Sequence, residues 1–590
     1  MPFKFGFQQF LKWRAEHIPD SAFVIALSII IGFLAGIAAY ILKYSVNYIE
    51  KNLFNLYSSS EQIVLFFLLP VIGIFLTVVF LRYVIKDNVG HGVPRILYVI
   101  SKLDGSMRRH KIFSSLVGGA LTAGFGGSVG LESPIISTGS SLGSSLGQFL
   151  RLDYKYKALL IGCGAAGAIA SIFTTPIAAI VFVFEVLMLD LGTAAIIPIL
   201  LAAVTGAVTT KMLLAEQILV HFNVAEPFEV SDVFFFILLG VFSGLVSVYF
   251  HFAHFKIIKL FKPVKSVWLR ILIGGGLLGL LIYLFPPLFS EGYESIRNIL
   301  SGRSDELMHY SHFVGLEGAW WLVVFVSLLI LFKVIATTLT TEAGGVGGIF
   351  APAAVMGGFT GFVLATTLNL LFDGLGLHIS NFTLVGMAAV LGGVLQAPLT
   401  GIFLIAEMSH GYELIVPLML ATSISFLIAR TYNKYTIFTR RLDDINSAYH
   451  FKDNAVLKQL SILDLLEKDV LTISIDSALG DLVEMIKVSK RNIFAVLDDE
   501  TFIGLILLDD VRKDMFDESN YEKAVSDYIY LPLDDEKVSI TTDMHDILKK
   551  FNKTGNYNMI VLNENRYVGI LSRANLLKAY RDGLLAVEEE

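Results

Sequence analysis

One acidic residue, Glu132, lies in the glycine-rich stretch GGSVGLESPIISTG, inside a long apolar region of the chain. Two further acids, Glu185 and Glu407, lie in apolar stretches of their own. Ionisable groups in such surroundings are costly, and they commonly serve ion or proton pathways. Glycines let the backbone bend close to a ligand, and proline fits the first turn of a helix. The stretch around Glu132 therefore predicts a helix start whose unpaired N–H groups bind an anion.

The glycine–proline pattern recurs along the chain. GLESP (130–134) is matched by GIFAP (348–352), and GHGVP (90–94) has the same form. FTTPIAAIVFVFE (173–185) is matched by LQAPLTGIFLIAE (395–407). The matches predict two related halves, which commonly meet at a site built from broken helices. Helix ends at such a site would bind an anion and still release it, as conduction requires.

The composition indicates the class of protein in which these residues lie. The 590 residues are 55% hydrophobic and only 16% charged, which is typical of a protein with many membrane spans. A net charge of −7 argues against a nucleic-acid partner. Apolar stretches cut by glycine and proline predict an all-α membrane domain over residues 21–445, with halves of about 21–215 and 230–445.

The two ends of the chain differ from this region. Residues 1–20 are amphipathic and lack a signal-peptide pattern, so they predict a cytoplasmic helix held by Lys4, Lys12 and Arg14. After residue 440 the sequence becomes charged, and β-like runs alternate with helical ones. This alternation predicts a separate cytoplasmic α/β domain over residues 454–590.

The three motifs GHGVP, GLESP and GIFAP, together with the duplicated halves, resemble the CLC chloride channels and proton–chloride exchangers. The corresponding family signatures are GSGIP, GREGP and GxFxP. The C-terminal part resembles a tandem pair of CBS domains, with GLILLDD beginning at Gly504 and GILSRANLL at Gly569. This resemblance covers essentially the whole chain.

The resemblance implies about eighteen helices in two inverted repeats and a homodimer with one pore in each subunit. It implies a multi-pass protein of a bacterial cytoplasmic membrane, with both termini in the cytoplasm. Chloride is the expected ligand, protons are a further candidate, and no cofactor is required. Glu132 would be the gate, because its carboxylate imitates an anion until it is protonated. The expected anion contacts are Gly90, His91, Gly92, Val93, Gly130, Leu131, Ile349, Phe350 and Phe438.

The sequence departs from the family pattern at four points. His91 replaces the motif serine, Leu131 and Ser133 flank the acid, and Phe438 stands where a pore tyrosine is expected. The usual hydroxyl donors to the anion are thus absent. His91 could donate a hydrogen bond in their place or turn away, so the preferred anion could also be nitrate. Val186 stands where exchangers carry an inner glutamate, which favours a passive channel over exchange.

Other interpretations remain open at the level of sequence. Glu185 and Glu407 could carry protons, or they could cap neighbouring loops. The CBS pair could bind an adenine nucleotide through Ser572, Asn575 and Asp510, or it could only stiffen the protein. A proton-coupled transporter of a non-anionic solute is an alternative class. The sequence carries no HExxH motif, and we predict no enzymatic activity.

Overall fold

The structure, a computed structural model, divides into two compact units, Met1–Leu442 and Asp443–Glu590. The residues whose structure it describes are 13–14, 16–55, 62–87, 92–103, 105–187, 195–214, 228–308, 311, 313, 318–409, 411–441, 460–467 and 470–589. The predicted boundary at residue 454 and most of the predicted N-terminal helix, with Lys4 and Lys12, lie outside these residues. Arg14 lies inside them: it is buried, pairs with Asp20 and stacks over the Phe23 ring at 4.2 Å.

In the described residues of the first unit, helices are joined by loops and by one isolated bridge, and nine of these helices are long and apolar enough to cross a membrane. Several others are short and apolar, as expected where helices break inside the protein. The helices are α1 (Asp20–Asn55), α2 (Gln62–Val79), α3 (Gly92–Lys102), α4 (Lys111–Gly124), α5 (Glu132–Phe149), α6 (Tyr154–Phe173), α7 (Pro176–Glu185), α8 (Ile196–Leu213), α9 (Val233–Phe261), α10 (Val267–Leu284), α11 (Tyr293–Leu300), α12 (Ala319–Glu342), α13 (Phe350–Leu371), α14 (Ile379–Leu395), α15 (Pro398–Met408) and α16 (Ile415–Tyr432).

Large apolar side chains lie exposed along the outer faces of these helices. Phe33 on α1 is 49% exposed, and Phe252 on α9 is 62% exposed. A water-soluble domain rarely leaves so much apolar surface uncovered. The lipid hydrocarbon of a bilayer accepts these side chains, and the small buried residues pack helix against helix.

The two halves repeat the same close helix crossing. Gly139 on α5 packs against Gly164 on α6, and Gly357 on α13 packs against Gly386 on α14. A Cβ at any of the four positions would collide with the backbone of the facing helix. Small residues of this kind let helix backbones touch in a membrane. The matched crossings confirm the predicted pair of related halves.

A short helix follows this crossing in each half. Thr174 and Gln396 adopt left-handed backbone conformations, with φ of 57° and 54°, and they end the preceding helices. Pro176 and Pro398 then occupy the first turns of α7 and α15, where the missing N–H costs nothing. These helices of 10 and 11 residues are too short to span the roughly 20-residue width of a bilayer.

The second unit is built on one mixed sheet. Its strand order is β2-β3-β4-β7-β6-β5, and β1 pairs with β7. The outer pairs β2–β3 and β5–β6 are parallel, and the inner pairs are antiparallel. The strands are β1 (Leu466–Glu467), β2 (Thr472–Ser474), β3 (Ile493–Asp498), β4 (Thr501–Leu507), β5 (Lys537–Ser539), β6 (Asn558–Asn563) and β7 (Arg566–Ser572).

The sheet contains the same module twice. In each module a parallel strand leads through a helix into a hairpin, and the helices are α18 (Leu479–Val488) and α20 (Met544–Thr554). Both hairpins shift register at equivalent places, Val496/Leu497 and Val561/Leu562. The unit also contains two short helices, α17 (Ile462–Leu465) and α19 (Leu508–Val511), and a longer helix after the last strand, α21 (Arg573–Glu589). The predicted α/β pair of modules is confirmed.

Candidate functional site

The glycine–proline loops of the two halves meet inside the membrane unit. Gly130 and Gly348 form an antiparallel bridge in which each N–H donates to the other carbonyl, at 2.9 and 2.8 Å. Helix α5 begins at Glu132, two residues after the first glycine, and α13 begins at Phe350, two residues after the second. The first N–H groups of a helix have no partner within it. The bridge therefore holds two positive helix ends side by side.

Glu132 lies at this junction and is 1% exposed. Tyr293 Oη donates a hydrogen bond to Glu132 Oε1 at 3.5 Å. Oε2 makes no hydrogen bond of normal geometry to the residues described, although the backbone of Glu132 and of Ala351 interacts with the carboxylate. The side chain folds back over Gly130, where any Cβ would collide with Oε2. The carboxylate thus occupies the space in front of the helix ends, where an anion would bind.

A small cavity of about 50 Å³ lies beside Glu132. A volume of this size holds one or a few water-sized species, which suits a small inorganic anion. Its walls come from both halves of the unit. They include Val93, Pro94, Glu132, Ser133, Ile136, Phe182, Gly348, Ile349, Phe350, Ile437 and Phe438.

The predicted anion contacts fall into four groups. Val93, Ile349, Phe350 and Phe438 line the cavity. Gly130 and Leu131 lie directly beside it in the loop that leads to Glu132. Gly92 packs so tightly on Ser133 that a Cβ would collide with its hydroxyl. Gly90 and His91 lie outside the described residues, so the role of His91 stays a prediction.

Phe350 and Phe438 give the cavity apolar walls. Phe350 is buried and stacks on Phe173, with ring centroids 5.9 Å apart. The rings of Phe182 and Phe350 pack edge to face, with centroids 6.3 Å apart. A phenyl ring presents positive C–H edges and a negative face, and it offers no hydroxyl donor. Backbone N–H groups at the starts of α5 and α13 are therefore the main polar donors on this side.

Polar residues that the sequence reasoning missed also line the cavity, among them His254 and Arg441. Arg441 forms an ion pair with Glu342, with 2.5 Å between Nη2 and Oε1, and His254 Nδ1 contacts Thr338 Oγ1 at 2.9 Å. A sequence signal for Arg441 exists, since it follows Phe438 by three residues, about one helical turn. The cavity wall thus includes one positively charged group and one imidazole in addition to Glu132.

Glu185 and Glu407 act as caps between the halves. Glu185, at the end of α7, accepts hydrogen bonds from Leu399 N, Thr400 N and Thr400 Oγ1 at the start of α15. Glu407 on α15 accepts hydrogen bonds from Ile177 N and Ala178 N at the start of α7, at 3.1 and 2.8 Å. Each acid satisfies the free N–H groups of the other helix. This geometry supports the capping interpretation of both residues.

The second unit contains a cleft of its own, a cavity of about 240 Å³. Glu467, Lys490, Arg491 and Asn558 are among the residues that line it. Asn575, one of the predicted nucleotide contacts, donates from Nδ2 to Glu467 Oε1 at 3.3 Å. The Ser572 hydroxyl accepts from Asn575 N at 3.4 Å, so both residues lie beside the cleft. Asp510 lies on α19 and is not among the lining residues.

The fold and the central cavity define a class of protein. Broken helices from two inverted halves begin beside one small cavity, and the Glu132 carboxylate lies in front of their N-termini. This arrangement belongs to membrane proteins that carry small anions.

Comparisons with known proteins identify the family. The model described as "Voltage gated chloride channel" matches residues 73–430, and a CBS domain model matches residues 526–582. The chain belongs to the CLC family of chloride transport proteins and carries CBS modules at its C-terminus.

Individual relatives support the same assignment. The chain is 27% identical over 390 residues to a Ralstonia nicotianae protein provisionally named a ClcB-like chloride channel, covering 64% of this chain and 85% of the relative. It is 25% identical over 437 residues to the H(+)/Cl(−) exchange transporter ClcA of Vibrio campbellii, covering 72% and 90%. A slow cyanobacterial Cl−/H+ antiporter has a similar fold, with a TM-score of 0.62, 22% identity and coverage of 72% and 97%.

Proposed function

We propose that this chain exchanges chloride for protons across a membrane, with Glu132 as both gate and proton carrier. The buried carboxylate in front of two helix ends is the observation that carries the proposal. A charged carboxylate competes with chloride for the same N–H groups. Protonation removes the negative charge, so the side chain can leave and an anion can enter. The ClcA relative, a named exchanger, supports coupling to protons.

A passive chloride channel is the second candidate. The observation in its favour is Val186, which is buried and apolar at the position where exchangers carry an inner acid. The ClcB-like relative, named as a channel protein, also fits this candidate. The cavity nevertheless borders the largely buried pair of Arg441 and Glu342, so a second acid is present close by.

The test uses purified protein in liposomes loaded with chloride. Chloride efflux and external pH are recorded together for the wild type and for Glu132→Gln. We expect efflux with proton movement in the wild type, and efflux without proton movement in Glu132→Gln, because glutamine cannot carry a proton. Efflux without proton movement in the wild type would establish the channel. Movement of nitrate or another anion in the absence of chloride efflux would reveal a changed selectivity.

We also propose that the cleft of the second unit binds an adenine nucleotide. Lys490 and Arg491 on its wall suit phosphate oxygens, and Glu467 can accept hydrogen bonds from ribose hydroxyl groups. Ser572 and Asn575 lie beside this wall, as the sequence predicts for nucleotide contacts. The homodimeric assembly, the bacterial cytoplasmic membrane and the cytoplasmic position of both termini stay predictions.

A further inference from the structure

Four charged side chains lie close together beside the Glu132 loop, and they come from four different parts of the membrane unit. They are Lys43 on α1, Glu132 on α5, Glu291 in the connection between α10 and α11, and Lys333 on α12. Lys43 is 5% exposed and Lys333 is fully buried. Two of the four are positive and two are negative. Opposite charges are expected to lie together here, because an unpaired charge in a membrane interior is costly.

Lys333 fixes the connection that carries Glu291. Its Nζ donates to Leu288 O at 3.3 Å and to Ser290 O at 3.0 Å. Ser290 N–H in turn donates to Gly126 O at 3.2 Å. The connection is therefore bound directly to the loop that leads into Glu132.

Glu291 contacts that loop one residue before the gate. Its Oε1 accepts a hydrogen bond from Leu131 N–H at 3.2 Å. Tyr293, two residues further along the chain, contacts the Glu132 carboxylate itself. The segment with Glu291 and Tyr293 thus reaches both the backbone and the side chain of the gate.

Lys43 is the remaining member of the charged cluster, and it is unusual because its ammonium group is buried. Its Nζ has no hydrogen-bond partner among the described residues. The ammonium nevertheless interacts electrostatically with the carboxylates of both Glu291 and Glu132. Residue 131, where the family signature has arginine, is leucine in this chain. Lys43 therefore supplies a positive charge to the gate from a different helix.

We propose that Lys43 and Glu291 are positioning residues that set the pH at which Glu132 opens the anion path. This proposal rests on the proposed role of Glu132 as the gate. The positive charge of Lys43 stabilises the charged, closed form of Glu132, and the negative charge of Glu291 stabilises the protonated, open form. The two residues act in opposite directions on the same carboxylate, and their mutual attraction keeps both charges in place. Besides Lys333, the charged or titratable groups that face Lys43, Glu132 and Glu291 are Glu50 on α1 and Tyr293, Glu294 and Arg297 on α11.

The test measures chloride efflux from liposomes over a range of pH values, with equal pH on both sides. We expect Lys43→Met to move the midpoint of the pH profile to higher pH by about one unit, the size typical of a lost charge partner. We expect Glu291→Gln to move it to lower pH. Lys43→Arg keeps the charge and should keep the wild-type midpoint. Lys51→Met is the matched control, since it removes the same charge from an exposed position on the same helix.

The Glu132→Gln background separates this proposal from the proposed function. There, Lys43→Met and Glu291→Gln should leave the pH profile unchanged, because no titrating gate remains. Shifts in the same direction for both substitutions, no shift in either, or shifts that persist in the Glu132→Gln background would overturn the positioning roles. A wild-type pH profile in Glu132→Gln alone would instead overturn the role of Glu132 as gate. If Lys43→Met does not fold, Glu291→Gln still tests the proposal. A midpoint shifted to lower pH supports the positioning role of Glu291, and a midpoint shifted to higher pH contradicts it.

Discussion

At the scale of single residues, the environment of Glu132 depends on one missing side chain. Gly130 has no Cβ, and the Glu132 carboxylate folds back into the space that a Cβ would occupy. A longer side chain at position 130 would compete with the gate for this space. Under the gating role proposed for Glu132, the glycine is therefore part of the gate as well as part of the bend that precedes α5.

We expect Gly130→Ala to weaken the closed gate, because an added methyl group in a tight site commonly costs about 1–3 kcal/mol. A cost of about 1.4 kcal/mol lowers the ratio of closed to open forms roughly tenfold. Chloride efflux in alkaline conditions should rise accordingly. Gly276→Ala is the matched control, since its Cβ would meet nothing within 4 Å. Equal efflux from both variants would contradict the expectation.

Several features of the site could be predicted from residue types, and others could not. The pairing of Glu132 with a glycine–proline helix start is visible because the motif is local. Lys43 and Glu291 are distant in sequence and belong to no motif. Only the packing of α1 and the α10–α11 connection brings them to the gate. Buried charges matched across separate elements carry no periodic signal, so sequence reasoning misses them.

At the scale of secondary-structure elements, the reciprocal caps join the two halves. Helices α7 and α15 are short, and each ends near an acid that accepts from the start of the other. A helix start inside a membrane cannot use water to satisfy its N–H groups. The acids at 185 and 407 supply the missing acceptors, and the equal spacing from proline to acid in both repeats reflects this need.

Glu185→Gln and Glu407→Gln should each lower the thermal stability of the purified protein. Each change replaces one carboxylate oxygen with an amide that cannot accept, which leaves a buried N–H group unpaired at about 1–3 kcal/mol. The ratio of chloride to protons moved should stay as in the wild type. A changed ratio with unchanged melting would instead support a proton path through these acids.

The close crossings of α5 with α6 and of α13 with α14 could not be predicted from the sequence. Gly139, Gly164, Gly357 and Gly386 lie at matching places in the two halves, and each allows backbone contact. The signal was present as glycine at the seventh residue after the start of α5 and of α13. Glycines are so common in membrane helices that the pattern becomes specific only when both halves are aligned.

At the scale of the whole molecule, the chain combines a membrane unit and a second unit with a separate core and a separate cleft. The shift from apolar to charged sequence near residue 440 predicted this division. The detailed pairing of the strands could not be predicted, because the repeated modules join through β4 and β7, which are distant in sequence. The two units can be studied by separate measurements on the same full-length protein.

We expect an adenine nucleotide such as ATP to raise the melting temperature of the second unit in the full-length protein, because a ligand of the folded state adds stability. Arg491→Ala should abolish the rise, since this residue lines the cleft and is paired there with Glu467. Arg566→Ala is the matched control: its ion pair with Glu500 is exposed at the surface. A rise of equal size in all three proteins would contradict binding in the cleft.

The bridge between Gly130 and Gly348 also shows where the two halves of the membrane unit differ. The two halves contribute equivalent groups to this bridge, since each glycine donates one hydrogen bond and accepts one. The side chains after the bridge break this equivalence, since Glu132 in one half corresponds to Phe350 in the other. At this position only the first half carries an ionisable side chain. Under the gating role proposed for Glu132, protons therefore act on the anion path through the first half and not equally through both.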